Sequence, residues 1–172
     1  DRKSHMPAGP GYREKFYFTP GNTGFKVFNT EYGKIGCGIC WDQWFPECAR
    51  SMTLLGADII LYPTAIGSEP QDPNLNSKKH WENVMIGHSA ANQIPIVASN
   101  RIGEEIEDDI KINFYGGSFI TDHLGNIQAQ MDSSSEGVIS HEINVDEIRK
   151  FRQSWGNFRD RRPDLYKKIC DF

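Results

Sequence analysis

Cysteine is scarce in this chain: Cys37, Cys40, Cys48 and Cys170 are the only four among 172 residues. That density is far from the disulfide-stapled framework of a small secreted domain, and it predicts reduced thiols in a cytoplasmic setting. Basic charge is not in excess either, with 19 Lys+Arg against 23 Asp+Glu and a formal net charge of -4. Phosphate contacts need a basic face, so a dedicated nucleic-acid binder is a poor reading. Long apolar runs are missing too; none approaches the roughly 18 residues of a membrane span. The polar opening DRKSHMPAGPG does not read as a signal peptide. Neither nucleic acid nor a membrane is an expected partner. Repeats, low-complexity tracts and charge blocks are absent as well, which predicts one domain over residues 1–172.

Metal and redox chemistry lack their usual partners. Cys37 and Cys40 form a C-x-x-C, but zinc would need a second, similarly spaced pair, and His80 and His88 stand eight apart. A redox C-x-x-C normally opens a helix, whereas this one lies inside the apolar run IGCGIC. No metal or organic cofactor is expected.

What the chain does contain is the composition of a globular protein, 38% hydrophobic and 12% aromatic. Short apolar runs bounded by Gly, Pro, Asn or Asp predict strands at Phe25–Phe28, Lys34–Cys40, Ile59–Tyr62, Ile96–Ser99, Gly117–Thr121, Ile127–Met131 and Gly137–Ile143. Apolar residues at 3–4 spacing predict helices over Phe45–Leu55 and Ser77–Asn92, with a shorter one over Asp146–Phe151. Pro46 suits the opening turn of the first, and Gly56 its stop. Strand and helix alternate from Lys34 to Ser99, which predicts parallel strands joined by helical crossovers. The DHLGN segment at 122–126 predicts an antiparallel hairpin. The expected class is α/β, with two layers of sheet.

The sharpest local feature is GCGICWDQWFPE over residues 36–47. It ends a buried strand and starts a helix within a few residues, and ligands of parallel α/β sheets bind at that end of the strands. Strand periodicity puts Cys40 opposite Cys37 and on the face of Gly36 and Gly38, which would leave room beside the thiol. From the residues alone two readings stand: a nucleophile, or a small buried cysteine of the ordinary kind. Lys3 and Glu14, read alone, are solvated charges in a loop-like opening, and spacing does not connect them to Cys40. Trp41 and Trp44 serve equally as pocket walls or as core. His88 reads as a packed core histidine and Glu47 as support for a helix start. The RDRRPD tail at 159–164 is either solvated or an interface element.

RKSHMPAGPGYREKFYFTPG, GICWDQWFPECAR, LYPTAIGSEPQDP, GHSAANQIPIVASNRIG and WGNFRDRRPDLY, in this order, resemble the nitrilase superfamily of carbon–nitrogen hydrolases. The resemblance implies an α-β-β-α sandwich and a Glu-Lys-Cys triad with a second glutamate nearby. It matches Cys40 to the nucleophile, Lys3 to the lysine and Glu14 to the second glutamate. The backbone N–H of Trp41 would join Lys3 in stabilising an oxyanion. Glu69, in the SEP segment, matches the family's amine-binding glutamate and would pair with a cationic carbamoyl or amide substrate, a diamine derivative such as N-carbamoylputrescine. Such a reaction would pass through a thioester-type acyl-enzyme and serve polyamine biosynthesis. Another amidase of the family, such as a β-ureidopropionase, is the alternative; its anionic substrate would call for an arginine clamp. An inactive oligomerising fragment is a third possibility. The resemblance also implies a homo-oligomer and no cofactor. The family's general-base glutamate belongs to a segment upstream of the lysine motif, which this chain does not contain. The chain therefore corresponds to roughly the last three-fifths of a family member, an N-terminally incomplete domain.

Overall fold

The computed structural model describes residues 1–171. In chain order the elements are α1 (Glu14–Tyr17), β1 (Val27–Thr30), β2 (Gly33–Cys37), α2 (Pro46–Leu54), β3 (Ile59–Thr64), α3 (Lys78–Asn92), β4 (Ile96–Asn100), β5 (Glu104–Glu107), β6 (Ile110–Asn113), β7 (Phe119–Thr121), β8 (Ile127–Gln130) and α4 (Val145–Trp155). Six strands form one sheet in the order β1-β2-β3-β4-β7-β8, and β5 and β6 form a separate ribbon. The expected crossovers are present: β2, β3 and β4 are parallel and are joined through α2 and α3. The 122–126 turn connects the antiparallel pair β7 and β8.

One face of this sheet is dry. Gly36, Ile60, Ile96, Tyr62, Ala98 and Phe119 fall in register on that face and are buried. They pack against Cys48, Ala49 and Met52 of α2 and Trp81 and Met85 of α3. Full burial of each large apolar side chain stabilises the fold by about 1.5–3 kcal/mol. The opposite face, with Ile35, Ile59, Leu61 and Val97, is only half-buried. Among the described residues the second sheet is the two-stranded β5–β6 ribbon.

Helix ends obey local chemistry. Pro46 opens α2, and Gly56, in the left-handed region at φ 95°, follows its end. Asn144 caps α4 by accepting a bond from the Glu147 N–H at 3.2 Å, and Gly156 at φ 81° stops it after Trp155, four residues past the expected Phe151. The helix is tied down by a buried carboxylate. Asp58 accepts from Arg149 Nε at 2.9 Å and Nη2 at 2.7 Å, and from the Lys34 N–H at 2.8 Å. Burial opposes ionisation of Asp58, but these bonds outweigh it and hold the carboxyl below its usual range.

Two strand expectations fail. The Gly137–Ile143 segment forms no strand, and Val138 is 95% exposed. Its β-branched residues are suited to a sheet, yet it pairs with none of the described strands. The strand at Lys34–Cys40 ends at Cys37, so the periodicity used for Cys40 does not reach it. Gly36 and Gly38 also serve another purpose than room for a thiol. A Cβ on Gly36 would meet Met52 Sδ at 2.9 Å, and one on Gly38 would meet the Tyr62 ring at 2.6 Å. These glycines let β2 approach α2 and Tyr62.

Candidate active site

Three residues past β2 the backbone turns sharply. Cys40 takes a positive φ of 48°, unusual for a residue with a side chain, and opens a single 3-10 turn, Cys40–Trp44. Strain of this kind persists only where the surroundings fix it. Here they do. Gln43 is fully buried. Its amide donates to Thr64 Oγ1 at 2.9 Å and accepts from Trp81 Nε1 at 2.7 Å. Its carbonyl accepts from His88 Nε2 at 2.9 Å. Helix α3 thus clamps the turn from behind, and His88, 6% exposed, is the packed histidine expected.

Burial lowers the His88 pKa below its ordinary 6.5, the bond to the Gln43 carbonyl offsetting part of the effect. The unfolded chain therefore binds this proton first, so His88 contributes stability at neutral pH that is lost as pH falls through 6.5 toward the lowered folded value. Melting temperature should drop between about pH 7.5 and about pH 5.5, and His88→Gln should flatten that part of the drop.

The chain's opening reaches this turn. Lys3 Nζ donates to Glu14 Oε2 in an ion pair whose side chains are 10% and 32% exposed. The Lys3 carbonyl accepts from the Gly21 N–H at 2.7 Å, and a Cβ on Gly21 would lie 2.6 Å from the Arg2 carbonyl oxygen. Asp42, 2% exposed, accepts from the N–H groups of Ser4, His5 and Ile39 and from His5 Nδ1. The opening is otherwise irregular, as expected, apart from the single turn of α1 that carries Glu14.

Cys40 lies in the wall between two depressions. A cleft of about 720 Å³ is lined by Lys3, Glu14, Tyr12, Cys40, Ala65 and Arg101, among others. A second, of about 370 Å³, is lined by Cys40, Tyr12, Trp41, Trp44, Glu69 and His80, among others. The structure thus brings the other four sequence-predicted residues around Cys40, with Lys3 and Glu14 on one side and Trp41 and Glu69 on the other. Trp41 is 38% exposed, a wall residue and not core. Glu69 accepts from Gln71 Nε2 at 3.2 Å. Its loop is fixed by the Ser68 N–H donating to the Asn113 carbonyl at 2.9 Å and by Asn100, whose amide bridges both backbone groups of Ile66.

Sequence reasoning missed several neighbours. Tyr12 accepts from the Gly67 N–H at 3.2 Å and donates to the Ser68 carbonyl at 3.3 Å, tying the Glu14 segment to the Glu69 loop. Burial, reinforced by the nearby charge of Glu69, pushes its phenol up to about 12, so it remains a neutral donor. The β5–β6 hairpin supplies Glu105, Glu107, Ile110 and Ile112 to the cleft wall. Its signal was present, a two-residue Asp108-Asp109 loop between alternating residues, with Asp108 at φ 52°. Arg101 pairs with Glu105 and lies 4.2 Å from the Phe114 ring centroid. Among the described residues no cluster of three or more His, Cys, Asp or Glu is placed to hold a metal ion. None of the described helices is long and apolar enough to cross a membrane.

An ammonium held against a carboxylate in a cleft that also exposes a strained cysteine, past the C-terminal end of a parallel strand, is an arrangement suited to acyl transfer through sulfur. The chain is 61% identical to N-carbamoylputrescine amidase from Arabidopsis thaliana, over 98% of its own length and 58% of that protein. It is 56% identical to citrullinase from Francisella tularensis, over 98% of itself and 59% of that protein. A carbon-nitrogen hydrolase structure from Helicobacter pylori G27 superimposes with a TM-score of 0.91 at 42% identity, covering 99% of this chain and 60% of the other. The chain thus spans about three-fifths of the length of the relatives it matches. With residues 1–153 matching the carbon-nitrogen hydrolase family model, it belongs to that family.

Proposed function

We propose that the protein to which this chain contributes hydrolyses N-carbamoylputrescine to putrescine, carbon dioxide and ammonia. The observation that carries the reading is the place of Cys40 in the wall shared by the Lys3–Glu14 cleft and the Trp41–Glu69 pocket. The substrate spans that wall. Its ureido carbon meets the Cys40 sulfur, and its terminal ammonium pairs with Glu69 beside Trp41. Thiolate attack forms an S–C bond, and the negative oxygen that develops is stabilised by the Lys3 ammonium and the Trp41 N–H. Collapse breaks the bond to the terminal nitrogen, which leaves as ammonia, and the butylamine arm stays on sulfur as a thiocarbamate. Water then displaces the sulfur, and the resulting carbamic acid loses carbon dioxide to give putrescine. Glu14 orients the Lys3 side chain through their ion pair. The general base that takes the thiol proton comes from the family's upstream glutamate segment. The chain forms part of one hydrolase domain, and the enzyme works as a homo-oligomer in the cytoplasm, where its four free cysteines stay reduced.

The citrullinase relative supports a second reading, since citrulline has the same ureido head with an added carboxylate at the far end. Ammonia release by the full-length enzyme from the two compounds separates them. Glu69→Gln should raise KM for N-carbamoylputrescine about tenfold or more and leave kcat nearly unchanged. An unchanged KM would remove Glu69 from the amine site.

A further inference from the structure

The segment that carries Lys3 has no secondary structure of its own, so its position depends on bonds to the rest of the molecule. Asp42 gathers several of them. Three of its four donor groups belong to residues directly after Lys3: the Ser4 N–H at 3.2 Å, the His5 N–H at 2.8 Å and His5 Nδ1 at 2.8 Å. The remaining donor is the N–H of Ile39, directly before Cys40, at 3.0 Å. One buried carboxylate therefore holds the backbones on either side of the cleft. The His5 ring adds a second tether, stacked on Phe45 at 3.6 Å between centroids and 10° from parallel. Neither His5 nor Asp42 lines either depression, so neither touches a bound substrate.

We propose that Asp42 and His5 are a positioning pair that sets the Lys3 ammonium at Cys40, an inference that rests on the functional reading of Lys3 above. Deleting the Nδ1 donor or the carboxylate frees the segment, and the ammonium loses its place beside the thiolate while the sheet and helices stay intact.

The test uses the full-length protein. Iodoacetate and iodoacetamide alkylate a thiolate by the same displacement of iodide, but only the first is an anion. The ratio of their rates at Cys40, read by peptide mass spectrometry and normalised to the exposed Cys170, reports how near the Lys3 ammonium stands. Buried Cys48 should remain unlabelled in every variant, which verifies the fold. Lys3→Met should lower the ratio about fivefold. His5→Phe keeps a ring on Phe45 but has no N–H, and it should lower the ratio at least about threefold. His5→Asn restores an N–H near the Nδ1 position and should return the ratio to the parent value; Asp42→Asn should behave as His5→Phe. Parent ratios in both His5→Phe and Asp42→Asn, with a lowered ratio in Lys3→Met, would overturn the pair and leave the role of Lys3 standing. A parent ratio in Lys3→Met would overturn both. If Asp42→Asn does not fold, the half-exposed His5 variants decide the matter alone.

Discussion

Cys40→Gly should abolish ammonia release and stabilise the protein in the same substitution. Loss of a nucleophile typically costs at least about 10⁴-fold in kcat, because the remaining donors have no covalent step to assist. The opposite sign for stability follows from the backbone. At φ 48° a side chain is strained, and glycine is not, so relief is expected to be worth about 1 kcal/mol. Cys40→Ala would share the loss of activity but keep the strain. Thermal melts of the three proteins, run beside an ammonia assay, check both halves. A glycine variant that melts well below the alanine variant would show that the turn does not hold its strained geometry for the sake of the thiol.

Lys3→Met should lower kcat about 10²–10³-fold with little change in KM. The ammonium meets full negative charge only after the carbonyl has been attacked, so its contribution falls mainly on the transition state. Stability should change much less. Glu14, the partner left behind, is about one-third exposed and can be rehydrated, so its loss of a counter-charge is screened by solvent. Steady-state kinetics with a parallel melt distinguish the two effects. A large rise in KM at constant kcat would instead place Lys3 in ground-state binding.

Much of the fold was legible because its signals are local. The runs IILYP and IPIVAS carry apolar residues on both faces, and Pro46 and Gly56 bracket α2 at the expected places. The failures came from tertiary causes. Gly137–Ile143 has the residues of a strand but pairs with no described strand. The strand through Cys40 stops at Cys37 because the bonds of Asp42 and Gln43, made to residues as far away as Ser4 and Thr64, pull the chain into a turn. The same holds for the site. Cys40 was visible from its place between a strand and a helix, but Lys3, Glu14 and Glu69 were connected to it only by family resemblance. Spacing could not join them, since Lys3 and Cys40 are separated by the whole opening segment, β1 and β2. Tyr12 and Asp42 were missed for a related reason: most of their bonds are made to backbone groups, and backbone groups leave no mark in a sequence.

The most direct measurement is a mass map of the full-length enzyme quenched in acid while it turns over N-carbamoylputrescine. The account predicts that the peptide containing Cys40, and no other cysteine peptide, carries the mass of the substrate less one ammonia. A peptide that stays unmodified during turnover, or an adduct on Cys37, Cys48 or Cys170 in its place, would contradict it.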